Sequence, residues 1–189
     1  RKKKKEKEFL EDGESMFAFL DDVYIIASRD RAAVITDHVA KEIEKWAGVK
    51  PKLGKFALWS RQGGPKPPGV DALLRGQPRP TTPLWKGDLD PAHNGLVILG
   101  TPIGRPEFVE RVLQERLGHQ QRLLDGITSL PDLQAAWLLL LDCAVPRANH
   151  LLRSLPPDEV AAYANAHDEK IWSTSLPVSY THLTLPTNR

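Results

Sequence analysis

The chain has 189 residues, of which 41% are hydrophobic and 26% are charged. This length suits one domain or two small ones, and the composition is typical of a folded, globular protein. The formal net charge of +2 is unevenly distributed, because residues 1–7 carry six basic side chains and one acid. The rest of the chain is therefore weakly acidic, which excludes the broad basic surface of a dedicated nucleic-acid-binding domain.

The single cysteine, Cys143, excludes an internal disulfide and is typical of a reducing compartment. We therefore expect an intracellular protein of the nucleus or cytoplasm rather than a secreted one. The longest apolar run, residues 135–141, is too short to cross a bilayer, so no membrane partner is expected. Because the chain begins at Arg1 with no signal peptide, we expect it to be a fragment of a longer protein.

Two adjacent aspartates, Asp21 and Asp22, lie between two runs rich in aromatic and β-branched residues, 16–20 and 23–27. This pattern predicts a β-hairpin whose two-residue turn is the aspartate pair. Neighbouring carboxylates repel each other, and a bound cation relieves that repulsion. Oxygen ligands of this kind suit Mg²⁺, which in turn suits phosphates. An Asp-Asp pair is also frequent in ordinary turns, because aspartate bonds its own backbone.

The segments that follow predict further elements of the N-terminal half of the chain. Asp30 is expected to cap a helix over residues 31–46, and Gly48 to end it. A short strand is expected over residues 52–60. Residues 62–94 contain seven prolines and five glycines, which predicts a long irregular insertion or linker. A last short strand is predicted over residues 96–99 and is expected to close with residues 100–102.

From Pro106 onward the apolar residues recur at helical spacing. The predicted helical segments are 106–124, 131–143, 147–152 and 157–172. The second is apolar nearly all round, so we expect it to be buried, with Cys143 as a small core residue. His150 and His167 are interpreted as residues of the surface or of the bundle edge. Residues 173–189 have no clear period, and 179–189 resemble translated adapter sequence, so this tail is treated as non-native.

Two basic segments leave alternatives open. Residues 1–12 are expected to form a disordered basic terminus, and a nuclear-localisation or nucleic-acid-binding arm is the alternative. Residues 45–66 carry six basic side chains and no acid, with Trp46, Phe56 and Trp59 among them. That combination suits a groove for a single strand or a primer-template, and it equally suits a solvated face over core aromatics. Five arginines of the helical half either contact the phosphates of a primer-template duplex or solvate exposed faces: Arg111, Arg116, Arg122, Arg147 and Arg153.

The segment Phe19-Leu-Asp-Asp22 between two strands resembles the [YF]-x-Asp-Asp signature of reverse transcriptase palms. The segments that follow strengthen the resemblance. A helix is followed by Gly54-Lys55, which resembles the family's lysine-bearing segment. Leu96-Val-Ile-Leu-Gly-Thr-Pro-Ile-Gly104 then resembles the Leu-Gly strand of the primer grip, and helices corresponding to a thumb come last. The resemblance covers residues 13–172 and is to reverse transcriptases of the non-LTR retroelement type.

The resemblance implies an α+β fold. Residues 13–104 would form a partial polymerase palm, with a small antiparallel sheet and one packed helix, and residues 105–172 an all-helical thumb-like bundle. It also implies nucleotidyl transfer with Mg²⁺ or Mn²⁺, nucleoside triphosphates, and a primer on an RNA or DNA template. The implied roles are metal ligation by Asp21 and Asp22, triphosphate contact by Lys55, and gripping of the primer by Leu99 and Gly100.

The family also needs a third carboxylate on an upstream palm strand and a fingers region, and these 189 residues supply neither. We therefore expect a polymerase fragment that is inactive alone. The alternative is a non-catalytic nucleic-acid-binding module, decayed from a retroelement. The sequence predicts no oligomeric state.

Overall fold

The computed structural model describes residues 9–52, 55–73 and 83–180. Over these residues the protein combines helices with two small antiparallel sheets, so the expected mixture of the two is confirmed. The chain divides into two compact units, Arg1–Asp88 and Leu89–Arg189. The sequence instead suggested a boundary near Gly104. The difference arises because the hairpin before Gly104 packs on the helix that follows it.

The first unit begins with a two-stranded antiparallel hairpin, β1 (Ser15–Phe19) and β2 (Asp22–Ile26). Its last pair joins Phe19 to Asp22, so residues 20–21 form the turn. The predicted hairpin is confirmed, but its turn lies one residue earlier than expected. Asp22 consequently belongs to a strand and not to the turn.

Helix α1 (Ala32–Ala47) follows within one residue of its predicted span. Gly48 ends it with a φ of +67°, as predicted for a glycine in the left-handed conformation. The predicted Asp30 cap is wrong, because Arg31 occupies the capping position and its side chain makes no capping bond. The helix starts instead on the backbone, where the amides of Arg31 and Ala32 donate to the Ser28 carbonyl.

The Pro-rich segment completes the core of the first unit. Ala33 of α1 packs with Val70 and Leu84, and Val70 begins a one-turn helix, α2 (Val70–Leu73). The described parts of the predicted insertion are therefore irregular, as expected, but they are packed and do not act as a linker. Sequence composition could not reveal this, because the contacts join residues far apart in the chain.

The strand predicted over residues 52–60 is wrong. Among the described residues of this stretch, only Leu58 has a ladder partner, in an isolated bridge to Trp85. Trp85 is itself buried, and its Nε1 donates to the Gly64 carbonyl at 3.0 Å. Residues 52–60 thus contact the Pro-rich segment through an isolated bridge and not through a sheet.

An ion-pair cluster joins the hairpin to α1. Glu14 lies directly before β1, and its two carboxylate oxygens accept from Arg31 at 3.0 and 3.1 Å. The Glu14 side chain is only 4% exposed. Arg31 also pairs with Glu11 at 2.9 Å and donates to the Phe9 carbonyl at 2.7 Å. The expected disordered terminus of residues 1–12 therefore does not extend over Phe9 and Glu11, because Arg31 holds both.

The second unit also begins with an antiparallel hairpin, β3 (Gly95–Ile98) and β4 (Thr101–Gly104). The strand predicted over residues 96–99 is confirmed in part. Residues 101–104 form a second strand, which the sequence did not predict. The chain reverses within residues 99–100, and this leaves Thr101 free to pair with Ile98.

Four helices follow: α3 (Pro106–Thr128), α4 (Leu133–Leu139), α5 (Asn149–Ser154) and α6 (Pro157–Tyr180). A π-helical turn and a 3₁₀ turn that contains Pro146 link α4 to α5. The predicted apolar stripe of α3 is confirmed as buried: Phe108, Val109, Val112, Leu113, Leu117 and Leu124. This stripe packs against Leu151 of α5 and Tyr163 of α6.

Helix α4 is shorter and less buried than the sequence predicted. Ala136 of α4 and Leu140, the first residue of the π-helical turn, pack in the core, whereas Trp137 is 41% exposed. Cys143 is exposed as well, so its predicted place in the core is wrong. An apolar helix gives no sign of which face packs, and here only one face does.

Helix α6 extends to Tyr180, past its predicted end at residue 172. Thr174 and Val178 are buried, so the tail treated as non-native is packed as far as Val178, and its helix extends to residue 180. His167 is buried too, contrary to the expected position at the bundle edge. Within the described ranges, every helix is too short or too polar to span a bilayer.

We predict that the first unit loses stability in acid through Glu14. The hydrogen bonds from Arg31 lower the pKa of Glu14 from 4.5 to about 2. A carboxyl whose pKa falls on folding favours the folded state above its unfolded pKa. This contribution is therefore complete above about pH 4.5 and is lost as the pH falls towards 2. Urea unfolding followed by tryptophan fluorescence across this range measures it.

Glu14→Gln removes this titration, so its stability deficit is expected to be largest at neutral pH and to shrink in acid. The exposed Asp37–Lys41 pair supplies the control. Lys41→Gln is expected to change the unfolding free energy by less than about 1 kcal/mol at every pH. A Glu14→Gln deficit that stays constant with pH contradicts the prediction.

We also predict that Gly95→Ala destabilises the second unit by about 1–3 kcal/mol, as overpacked sites do. A Cβ on Gly95 would lie 2.3 Å from Cδ1 of Phe108, a distance that forces the backbone or the ring to move. Gly118 of α3 has no atom within 4 Å of such a Cβ. Gly118→Ala is therefore the control, and it is expected to stabilise by about 0.5–1 kcal/mol. Equal unfolding free energies for the two variants contradict the prediction.

Candidate functional site

The acidic pair lies at the tip of the β1–β2 hairpin, and both side chains are exposed. Asp21 is in the turn, and Asp22 is the first residue of β2. The Tyr24 hydroxyl donates to Oδ2 of Asp22 at 3.0 Å. Residues two apart on a strand share a face, which is why Tyr24 reaches Asp22. The two carboxylates therefore have different surroundings.

The rest of the hairpin presents apolar side chains to solvent. Phe17, Phe19 and Ile26 are all exposed, Phe19 by 56%. Within the described residues the hairpin pairs with no third strand. A two-stranded hairpin is marginally stable by itself, and exposed apolar strands of this kind favour association with another surface.

Lys55 is exposed and lies in a turn instead of the predicted strand; its amide donates to the Lys52 carbonyl at 2.9 Å. No ion pair links Lys55 to Asp21 or Asp22 in the described part of the chain. Gly54, the other residue of the predicted motif, lies outside the described residues. The triphosphate contact of Lys55 thus stays a prediction.

The acidic tip supplies some of the oxygen ligands that a divalent ion requires. Asp21 and Asp22 supply hard oxygen ligands, which suit Mg²⁺ or Mn²⁺. No group of three or more histidine, cysteine, aspartate or glutamate side chains occurs over the ranges that the structure describes. The resemblance calls for a third carboxylate. The two aspartates therefore fit as part of such a site and not as the whole of it.

The basic segment 45–66 is partly neutralised by acids outside it. The ion pairs are Lys45–Glu42, Lys50–Glu44 and Lys66–Asp71. Trp46 donates from Nε1 to Glu42 at 2.7 Å, and this bond lowers the pKa of Glu42, with a smaller effect from Lys45. Phe56 packs against the core of the first unit. These contacts favour the solvated-face interpretation over the groove for most of the segment.

Leu99 and Gly100 form the β3–β4 turn, with φ of +49° and +86°. Positive φ at both central residues is characteristic of a type I′ turn, in which asparagine followed by glycine is preferred. A leucine in this conformation costs about 1–2 kcal/mol. Leu20, in the turn of the first hairpin, is similar, with a φ of +54° and 89% exposure. Both turns that the resemblance implicates thus hold a strained leucine.

The β3–β4 turn lies beside α5. Nε2 of His150 is 3.1 Å from Oγ1 of Thr101, and a Cβ on Gly100 would be 3.2 Å from the same nitrogen. His150 is exposed, as the surface interpretation expected, but it also contacts the hairpin. Thr101 and His150 are 49 residues apart, so no local pattern could indicate this contact.

A pocket of about 350 Å³ opens next to Gly100 in the second unit. Its polar lining consists of Arg116, His119, Gln120, Arg147, His150 and Tyr163. Only the two arginines were candidate phosphate contacts in the sequence. The other side chains carry no motif that could have indicated a site, because α3, α5 and α6 bring them together only in the folded unit.

Comparison of the chain with protein-family models, with curated protein sequences and with solved structures gives no match. The resemblance to reverse transcriptases therefore depends on the residues and the element order described above.

We predict that Leu99→Asn stabilises the second unit by about 1 kcal/mol, because asparagine adopts a positive φ at lower cost than leucine. Leu99→Ala is the control, since it shortens the side chain but keeps the strain. Urea unfolding free energies of the two variants and the native chain provide the measurement. If Leu99→Asn is instead less stable than Leu99→Ala, the strain at this turn does not govern its stability.

Proposed function

We propose that the chain is part of an RNA-directed DNA polymerase and contributes the Asp-Asp hairpin for nucleotidyl transfer. The observation that carries the proposal is the exposed acidic tip, with Asp21 in a turn and Asp22 on a strand. In this proposal Asp21 is the shared metal ligand and Asp22 the supporting one. The partners are Mg²⁺ or Mn²⁺, nucleoside triphosphates, and a primer on an RNA or DNA template.

The order of elements supports the proposal. A hairpin, a helix and, later, a set of helices follow one another in the order that the resemblance implies. Lys55 and the Leu-Gly pair lie between them, in turns instead of the implied strands. The exposed apolar faces of β1 and β2 also support it, because a palm hairpin lies within a larger sheet. Strained backbone is concentrated at functional sites, and both implicated turns are strained.

The chain's own residues would act by position and charge. Asp21 and Asp22 would hold divalent ions, which stabilise the attacking 3′ oxygen and the leaving pyrophosphate when bound. Leu99 and Gly100 would position the primer end, and Lys55 would contact the triphosphate. Because the acidic tip supplies only part of a metal site, we propose that the chain is inactive alone.

The alternative function is a non-catalytic nucleic-acid-binding module. The observation that favours it is the pair of arginines, Arg116 and Arg147, that lines the pocket of the second unit. This function needs no metal at Asp21. Binding of a divalent ion at the acidic tip therefore separates the two proposals.

We predict that Mn²⁺ broadens the amide resonances of residues 21–22 in an isotopically labelled chain, because a paramagnetic ion relaxes nuclei near its ligands. Asp21→Asn is expected to weaken this binding at least about tenfold, since it removes a charged ligand. The adjacent exposed acids Asp158 and Glu159 on α6 provide the control. Asp158→Asn is expected to leave broadening at the hairpin unchanged. Equal broadening at both acidic pairs contradicts a specific site.

Activity is tested in two samples. In a full-length parent, Asp21→Asn is expected to abolish primer extension while the circular dichroism spectrum stays the same. The 189-residue chain itself is expected to show no extension with Mg²⁺ or Mn²⁺. Robust nucleotide incorporation by this chain overturns its proposed inactivity, and full activity of the parent variant overturns the role of Asp21.

A further inference from the structure

The pocket beside Gly100 is lined by cationic and donor side chains. Arg116 comes from α3 and Arg147 from the 3₁₀ turn before α5, and none of the lining residues is a carboxylate. In the described part of the chain, the arginines that form ion pairs are Arg31 and Arg111. Two guanidinium groups thus converge on one pocket with no acid to balance them.

Tyr163 lines the same pocket as the two guanidinium groups. Burial raises the pKa of Tyr163, and the positive charges of Arg116 and Arg147 act in the opposite direction. Two cations so placed repel each other, and an anion in the pocket relieves that repulsion.

Gln120 adds a neutral amide to the lining. Its side chain is 1% exposed, and its Oε1 lies 2.8 Å from Nδ1 of His167. Nε2 of His167 lies 3.2 Å from the Val145 carbonyl, so the tautomer of this ring decides which end of the Gln120 amide faces Nδ1. The other end of the amide has no hydrogen-bond partner among the described residues. A buried amide atom without a partner is costly and needs an explanation, and a polar ligand in the pocket provides one.

We propose that this pocket binds a phosphate group, with Arg116 and Arg147 as its charged contacts and Gln120 as a neutral polar contact. Guanidinium groups bind phosphate through paired hydrogen bonds. The two arginines come from different elements, α3 and the 3₁₀ turn. Gly100 has no Cβ, and this leaves the rim beside His150 open. The inference holds whether or not the acidic hairpin binds metal.

The test is a titration of the full chain with inorganic phosphate, followed through the ring resonances of His119 and His150. Saturable shifts are expected. Arg116→Gln and Arg147→Gln are each expected to weaken binding at least about tenfold, because each removes a charge-assisted contact. Both side chains are exposed, so the variants are expected to fold, and circular dichroism checks this.

The matched controls are Arg122→Gln on α3 and Arg153→Gln on α5. Both arginines are exposed and neither lines the pocket. Both control variants are expected to bind inorganic phosphate as tightly as the native chain does. If either control weakens phosphate binding as much as Arg116→Gln does, general surface charge explains the result and the proposed pocket is overturned.

Two short single-stranded oligonucleotides, one with a 5′-phosphate and one without, identify the source of the phosphate. Tighter binding of the phosphorylated strand than of the unphosphorylated one supports a nucleic-acid end. Equal binding of both strands, lost in Arg116→Gln, supports a backbone phosphate. Binding of inorganic phosphate alone supports a free anion. The absence of saturable shifts with all three probes overturns the proposal.

Discussion

The ion pair between Arg31 and Glu14 determines how the acidic hairpin is attached to the first unit. Glu14 comes directly before β1 and Arg31 directly before α1, so their contact brings the two ends of the hairpin to the start of the helix. The amide of Ser28, after β2, lies 3.5 Å from the same carboxylate. The base of the hairpin is therefore fixed, while its tip, with Asp21 and Asp22, extends into solvent.

The second unit combines an apolar core with a polar cluster on the same helix. The stripe of α3 that contains Leu113 and Leu117 packs against α5 and α6. Gln120, three residues beyond Leu117, faces His167 of α6, and Arg116, directly before Leu117, lines the pocket. The packing of the stripe thus sets the positions of the polar side chains. A helix that serves as both core and binding surface tolerates little rotation, because turning it would displace both.

Local patterns predicted many of the elements. Long-range contacts account for most of the differences between the predicted and the observed structure. Apolar periodicity indicated α1 and α3, and the runs of aromatic and β-branched residues on either side of the acidic pair indicated the first hairpin. The turn is shifted by one residue because Leu20-Asp21 and Asp21-Asp22 can each close a two-residue turn in a run of strand-forming residues. The sequence also placed the acidic pair at the end of a hairpin. It missed the burial of Val70 and His167, because their partners are distant in the chain, and it missed the pocket for the same reason.

The exposed thiol of Cys143 has a practical consequence for work on this protein. It is the chain's single cysteine, and it lies on the π-helical turn after α4. Thiols in solvent react with maleimides and iodoacetamides once they ionise, whereas buried ones are inert. A fluorophore or spin label therefore attaches at one known position without any mutation, and its signal reports on the second unit.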